Sequence, residues 1–508
     1  MFRAIVPACF VVLLLSGSSG VAQTPPTPEQ RTARAFDALR GQPLRLLAFL
    51  RQMPKGGDLH NHLAGAIYAE SLVGYAAANG QCVERASAQV VAGPCGACDA
   101  TSDKPAARCA LQDQALYNRL IDAWSMRNFH PGAESGHDHF FATFDKFVPA
   151  TDGHTGEMLA EAVARAAADH LQYVELMHTP DGMAAAQLGA AAGWLDDFAA
   201  LRARLLPALR PLVETTRRQL NADEARMRSG LACGSPRADP GCVVTVRYLY
   251  QVLRGLPREQ VFAQILFGEE LQAADPRVVG LNLVMPEDGV VPLRDFDLHM
   301  RILDFMHGLY PRGHLSLHAG ELAMGLVPPE DLRFHIRESI ERAHAERIGH
   351  GVDVMSETDP AGLLREMAAR HVLVEINLTS NDEILGVSGR DHPLPVYMNA
   401  GVPVALSTDD EGVSRSDMTH EWLRAALTYG LSYVDLKRMA RESLEHAFLP
   451  GASLWSGTTP FAMAAACAAD RPDGAQTSPA CRALVGSSEK ASVEWALERA
   501  FAAFERGR

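Results

Sequence analysis

Basic residues are in short supply. Lys and Arg number 47 against 61 Asp and Glu, a formal net charge of −14, so the chain as a whole repels polyphosphate and offers little to a nucleic acid or an anionic membrane. Long apolar runs are missing too. The stretch that comes nearest, AIVPACFVVLLL from Ala4 to Leu15, falls well short of the ~20 residues that span a bilayer. No internal repeat is found, and no low-complexity tract beyond the Pro-rich QTPPTPEQ at 23–30, which excludes solenoid and collagen-like architectures. Charged residues make up 21% and hydrophobic residues 47%, a balance that excludes a disordered chain. What remains is a globular protein whose 508 residues allow a sizeable core and more than one average domain. Its expected partner is a small molecule.

The first residues belong to a different logic. Arg3, the apolar run and the small residues SGSSGVA follow the order of a secretory signal. Residues 1–22 are therefore expected to be a signal peptide cleaved after Ala22, leaving a periplasmic or secreted protein with no membrane attachment. Cys9 leaves with the leader. The other eight cysteines fall into three local clusters, as disulfides in an oxidising compartment do. Cys233 with Cys242 and Cys467 with Cys481 are the expected local pairs; the four between Cys82 and Cys109 pair in several ways that the sequence leaves open. Pro94-Cys95-Gly96-Ala97-Cys98 spells half of a deaminase zinc signature whose other half is an upstream H-x-E. That upstream half is missing, and His344-Ala345-Glu346 lies far downstream inside an apparent helix, so Cys95 and Cys98 read as structural.

Residues 23–53 read as a linker followed by helix over Arg31 to Met53, broken near Pro43. Beyond them, short apolar or alternating runs recur at 57–63, 171–178, 242–250, 278–285, 314–320, 347–353, 372–378 and 403–409. Segments with helical apolar spacing, such as MLAEAVARAAADH and LLREMAARH, separate almost all of them. Eight strands alternating with helices predict an α/β fold, a (β/α)8 TIM barrel over 54–450. A Cys-rich insertion at about 80–112 follows the first strand, and a smaller surface loop is expected from Asn221 to Cys242. Residues 451–508 read as a C-terminal helical extension.

His60-Asn61-His62 is the sharpest local feature. On a strand, side chains at i and i+2 share a face roughly 7 Å apart and can converge on one ion. Alone, the motif is weak. However, His318 ends the fifth expected strand in HAGE, His350 sits in the sixth in RIGHG, and the eighth ends at Ser407-Thr408-Asp409-Asp410. Taken singly, His350 reads as a core histidine and the Asp pair as a turn or helix cap. Together they map to the C-terminal ends of different barrel strands, where barrel enzymes assemble their sites.

The order H-x-H, HAGE, GHG, TDD resembles the adenosine deaminase family of metal-dependent hydrolases, and within it the secreted, growth-factor-related branch. The resemblance runs from MPKGGDLHNHLAGAIY through FFATFDKFVP, YVELMHTP and RIGHG to STDD, about residues 53 to 450. It implies that His60, His62, His318 and Asp409 hold one Zn²⁺, a donor set that also suits zinc on chemical grounds. It further implies that His350 takes or steers the water proton, that Glu321 is the acid for ring nitrogen N1, and that Asp410 bonds N7 of the purine. N7 accepts, so that contact needs a protonated Asp410 or a water between. Phe140 and Phe144, one helical turn apart, match aromatic positions of the family's substrate entrance; without the resemblance their spacing reads as core.

Three departures from the family pattern bear on the substrate. Ala64 stands in His-Leu-Ala-Gly where the intracellular enzymes carry an Asp that touches ribose. Met285 falls where the family's purine-contacting Gly amide lies, and Glu411 replaces the usual Pro after the Asp pair. The expected function is zinc-dependent deamination of adenosine or 2′-deoxyadenosine, a purine nucleoside. The alternatives are another 6-aminopurine, a secreted binding or signalling protein on the same barrel, and zinc-dependent ester or amide hydrolysis.

Overall fold

The computed structural model describes Met1, residues 25–474 and residues 476–507; the expected signal segment, apart from Met1, lies outside the described residues. Eight parallel strands form the centre: β1 (Gly56–His62), β2 (Leu171–His178), β3 (Thr245–Leu253), β4 (Val278–Val284), β5 (Ser316–Ala319), β6 (Arg347–His350), β7 (Leu373–Ile376) and β8 (Val404–Leu406). They pair in chain order within two groups, β1 to β4 and β5 to β8. Isolated bridges join the groups at both seams, Asn61 with Asp409 and Leu281 with Leu315. The first seam is secured by Asp409 N–H donating to the His60 carbonyl at 2.9 Å and His62 N–H to the Asp409 carbonyl at 3.0 Å. The architecture is the expected (β/α)8 barrel. Its strands are buried on both faces, as in β4, where all seven residues of VVGLNLV are buried; this is why they read as nearly continuous apolar runs.

The N-terminal segment forms helices Pro28–Asp37 and Pro43–Leu50, the break falling where Pro43 opens the second. Their Phe36 and Phe49 pack against each other at 5.6 Å and around Tyr433 at 6.4 and 6.3 Å. The C-terminal extension begins with a hairpin, Trp455–Thr458 and Phe461–Met463, before helices Pro479–Ser487 and Glu489–Arg506. The last helix lies along Tyr433–Glu445, with Arg441 gripping Glu498 by two bonds of 2.7 and 2.8 Å. Lys437 binds both Glu29 and Glu505 at 2.6 Å, tying the two terminal segments to the barrel and to each other.

All eight cysteines among the described residues are paired: Cys82 with Cys95, Cys98 with Cys109, and the two expected local pairs. The insertion contains only a short hairpin, Cys82–Val83 with Val90–Val91, and a turn of 3₁₀ helix at Ala107–Leu111. Two expectations are corrected. The loop expected from Asn221 is helix as far as Gly230, the end of a 33-residue helix, Phe198–Gly230. Its buried stripe Leu201, Leu205, Leu209, Val213, Leu220 and Met227 continues past Asn221, so burial sustains the helix where composition suggested a loop. His344-Ala345-Glu346 is not helical: helix His335–Glu341 ends earlier, and His344, at φ 63°, turns the chain into β6.

Candidate active site

The four expected metal ligands converge. His60 and His62 project from β1, His318 from β5, and Asp409 follows β8; one ligand atom from each lies within 4.8 Å of all the others. Each imidazole is held from behind at Nδ1: His60 by Glu375 Oε2 at 2.7 Å, His62 by Gln251 Oε1 at 3.1 Å, His318 by Asn282 Oδ1 at 2.6 Å. The His318 backbone N–H also donates to Asn282 Oδ1, which fixes that amide's orientation. An oxygen at Nδ1 draws the proton there and leaves Nε2 bare. All three Nε2 atoms face the common point: those of His62 and His318 are 3.2 Å apart, and that of His60 is buried without a hydrogen-bond partner. Bare nitrogens crowded around a carboxylate oxygen, 3.3 Å from both His60 and His62 Nε2, fit a cation, and three imidazoles with one carboxylate fit Zn²⁺.

Glu321 and His350 join this group. Glu321 Oε1 is 3.7 Å from His350 Nε2, and both are buried. Burial, reinforced by the charges of Asp409 and Glu287, raises the Glu321 carboxyl well above the usual carboxylate range. Its backbone N–H donates to Glu287 Oε2 at 2.8 Å, and Glu287 in turn binds His335 Nδ1 at 2.5 Å. Burial opposes ionisation of Glu287, but His335 and Arg254 hold it down to about 2. Arg254, itself buried, donates to the carbonyls of His318 and Met285 at 3.1 and 3.2 Å, lacing the ends of β3, β4 and β5 together. Burial lowers His350 to about 3, so its ring is neutral.

Asp410 points away from Asp409's group, toward Gly65. A Cβ on Gly65 would fall 1.6 Å from Asp410 Oδ1, so only glycine leaves room for this carboxyl. Burial, opposed by His62 and reinforced by Asp409, pushes Asp410 up to about 8. Glu411, the departure after the pair, binds Arg165 at 2.8 Å, and Arg165 also donates to the Ala66 carbonyl at 2.7 Å; the change from Pro thus gains a partner that braces the loop after β1. Ala64 is half-buried. Met285 has φ 83°, and its side chain lies over Gly255, where a Cβ would sit 2.7 Å from Met285 Cε.

Phe140 and Phe144 lie on helix Gly136–Phe147, their rings 5.9 Å apart. Phe140 is fully buried, while Phe144 keeps some exposure; the first is core. The same helix spans the mouth of the barrel, because His137 Nε2 reaches Asp288 Oδ1, just after β4, at 2.9 Å. The supporting residues Glu375, Gln251, Asn282, Asn381, Glu287 and Arg254 went unnoticed in the sequence. For Asn282 and Glu375 the signal was there: each is a lone polar side chain in an otherwise apolar barrel strand.

A closed (β/α)8 barrel with three imidazoles and a carboxylate gathered at the C-terminal strand ends is the layout of a barrel protein built around a metal ion. The Adenosine deaminase family model matches residues 132–453, and the chain belongs to that family. An adenosine deaminase of Salmonella heidelberg (strain SL476) is 37% identical over 137 residues, a stretch covering 27% of this chain and 38% of that protein. Among solved structures, adenine deaminase from Arthrobacter aurescens superposes with TM-score 0.51 at 19% identity, covering 78% of this chain and 94% of that one. The N6-methyl-AMP deaminase of Arabidopsis thaliana gives TM-score 0.51 at 20% identity, covering 80% and 94%. At these identities the two structures speak for the fold.

Proposed function

We propose that this protein is a zinc-dependent aminohydrolase that converts adenosine or 2′-deoxyadenosine to inosine or deoxyinosine and ammonia. The observation that carries the reading is the meeting, at one strand-end cluster, of His60, His62, His318 and Asp409 with Glu321 and His350. Zinc held by the first four would supply a water acidic enough to attack near neutral pH. The chain's own residues supply the rest. Glu321, kept protonated by burial, gives its proton to N1 as water adds to C6. It recovers a proton from the attacking water, passes it to the departing amino group, which leaves as ammonia, and takes back the second water proton as the C6 carbonyl forms, while N1 keeps its hydrogen. Asp410, protonated at neutral pH with a carboxyl pushed up to about 8, donates to N7. The helix carrying Phe144 shields the mouth.

A second reading keeps the chemistry and changes the substrate to adenine or an N6-modified adenine compound. Ala64 favours it, because it offers an apolar surface where the intracellular enzymes carry an Asp that touches ribose. We further infer export from the cell. The leader-like N-terminus supports it, as do four disulfides, which persist in oxidising compartments.

The test is ammonia release from adenosine, deoxyadenosine, adenine, N6-methyladenosine and AMP, before and after metal removal and zinc restoration. Zinc-restored turnover of adenosine or deoxyadenosine is expected. Turnover confined to another purine overturns the substrate, and no turnover by folded, zinc-loaded protein overturns the activity.

A further inference from the structure

The proton on His350 can be assigned from one backbone amide. Leu394 N–H donates to His392 Nδ1 at 3.1 Å. A backbone amide nitrogen can only donate, so His392 Nδ1 is bare and the ring's proton is on Nε2. That Nε2 donates to Asn381 Oδ1 at 3.0 Å. With its oxygen committed to His392, Asn381 presents its NH₂ group to His350 Nδ1, 2.9 Å away. His350 Nδ1 must therefore accept, and its proton sits on Nε2, on the side of Glu321. Asn377 Nδ2 lies 3.4 Å from His350 Nδ1 and 3.5 Å from its Nε2 and so favours neither nitrogen, which leaves the assignment to Asn381. His392, Asn381 and His350 are all buried, so bulk water does not rewrite the chain of bonds. The sense is opposite to that of His60, His62 and His318, whose Nδ1 atoms face oxygens of Glu375, Gln251 and Asn282.

We propose that His392 and Asn381 are positioning residues that lock His350 as the Nε2–H tautomer, making it a hydrogen-bond donor to the reacting oxygen and not the base that deprotonates water. The inference deepens the deaminase reading and rests on it for the word reacting; the tautomer itself does not. A base role would need Nε2 bare and Nδ1 protonated, which would set an N–H against the Asn381 NH₂ group. The proton that water loses as its oxygen bonds to C6 then goes to Glu321, which has just yielded its own to N1, so the proton count closes on one carboxyl.

Neutron diffraction from deuterium-exchanged, zinc-loaded protein reads the tautomer directly. A deuteron on His350 Nε2 and none on Nδ1 is expected; a deuteron on Nδ1 overturns the proposal whether or not the protein turns over purines. The second measurement uses Asn381→Asp, whose carboxylate would draw the proton to Nδ1. A wrong histidine tautomer in a hydrolase triad lowers kcat by roughly 10⁴-fold. Here kcat is expected to fall ~10³-fold or more, with KM and zinc content little changed. His392→Gln, whose amide still donates to Asn381, is expected to retain most of the rate. Wild-type kcat in folded, zinc-loaded Asn381→Asp would overturn the positioning role. Absence of turnover in the wild type would instead count against the deaminase reading, leaving the neutron result to decide the tautomer.

Discussion

Gly65→Ala is a substitution of one methyl group that the structure forbids locally and tolerates everywhere else. The added Cβ would lie 1.6 Å from Asp410 Oδ1, 2.4 Å from its Cγ and 2.7 Å from its Cβ. The last distance decides the outcome. Rotating the Asp410 side chain moves its carboxyl but leaves its Cβ in place, so the backbone of one segment must give way. The two segments are also stitched together, Gly412 and Val413 N–H both donating to the Gly65 carbonyl at 2.9 and 3.0 Å. The displacement therefore reaches Asp410, and through it the chain beside Asp409. Overpacking of this kind costs about 1–3 kcal/mol of stability. A misplacement of about 1 Å at a reacting centre costs roughly 10²-fold in rate, about 2.7 kcal/mol of transition-state stabilisation. The assay is kcat/KM for the preferred purine, with zinc content and denaturation midpoint measured alongside. Gly74→Ala, in helix Ala69–Ala78 with open space around it, is the control and should leave activity unchanged. Wild-type kcat/KM in Gly65→Ala would refute the placement of Asp410 against substrate.

Glu269 is buried, and burial alone raises its carboxyl from 4.5 to about 8. A folded-state value above the unfolded one means that stability falls as pH rises from about 4.5 to about 8; Glu269→Gln should remove that slope, and thermal melts with equal slopes in both proteins would contradict it. Arg347 lies between Glu175 and Glu375, all three fully buried. Arg347→Met leaves two buried carboxylates without their cation and should lower stability by about 3–5 kcal/mol; a loss under about 1 kcal/mol in urea denaturation would show the pair to be compensated elsewhere. Met285→Gly removes the bulk packed on Gly255 and should change kcat/KM for the preferred purine; an unchanged kcat/KM would remove Met285 from the purine's surroundings.

The barrel was legible because most strands are buried on both faces, β4 to β8 throughout, and read as short apolar runs, while the helices keep their spacing. The candidate site was legible for a related reason: His60 and His62 sit two apart on one strand, and His318, His350 and Asp409 sit at strand ends where the order of elements already places a site. The helix through Asn221 was not, since its last turns owe their form to residues such as Leu220 and Met227 packing on distant segments. Nor was the support of the site. Glu375 is 315 residues from His60, Gln251 is 189 from His62, and nothing local in the sequence says which polar strand residue will stand behind which imidazole. The disulfides divided in the same way, the two isolated local pairs being readable and the four crowded cysteines not.

Three non-glycine residues in the left-handed region stand at strand ends around the site: Met285 after β4 at φ 83°, His350 closing β6 at 69°, and Asp409 after β8 at 59°. Each such conformation costs roughly 1–2 kcal/mol for an L-residue, and it persists only where neighbours over-determine it. The neighbours can be named. Asp409 is bonded through both its N–H and its carbonyl to β1, Met285 through its carbonyl to Arg254, and the chain leaving His350 by Gly351 N–H to the Ala319 carbonyl. A left-handed residue breaks the alternation of the strand and turns the next side chain off its expected face. That is how Asp409 can point at the imidazoles while Asp410, its immediate neighbour, points at Gly65. Two adjacent buried carboxyls split their ionisation, the one that keeps its charge raising the other. Burial opposes the charge of both, but hydrogen bonds with His60 and His62 hold Asp409 well below the usual range, while burial and the Asp409 charge push Asp410 up to about 8 against the pull of His62. One dipeptide thus carries two carboxyls shifted in opposite directions, the one beside the imidazoles lowered and the one against Gly65 raised.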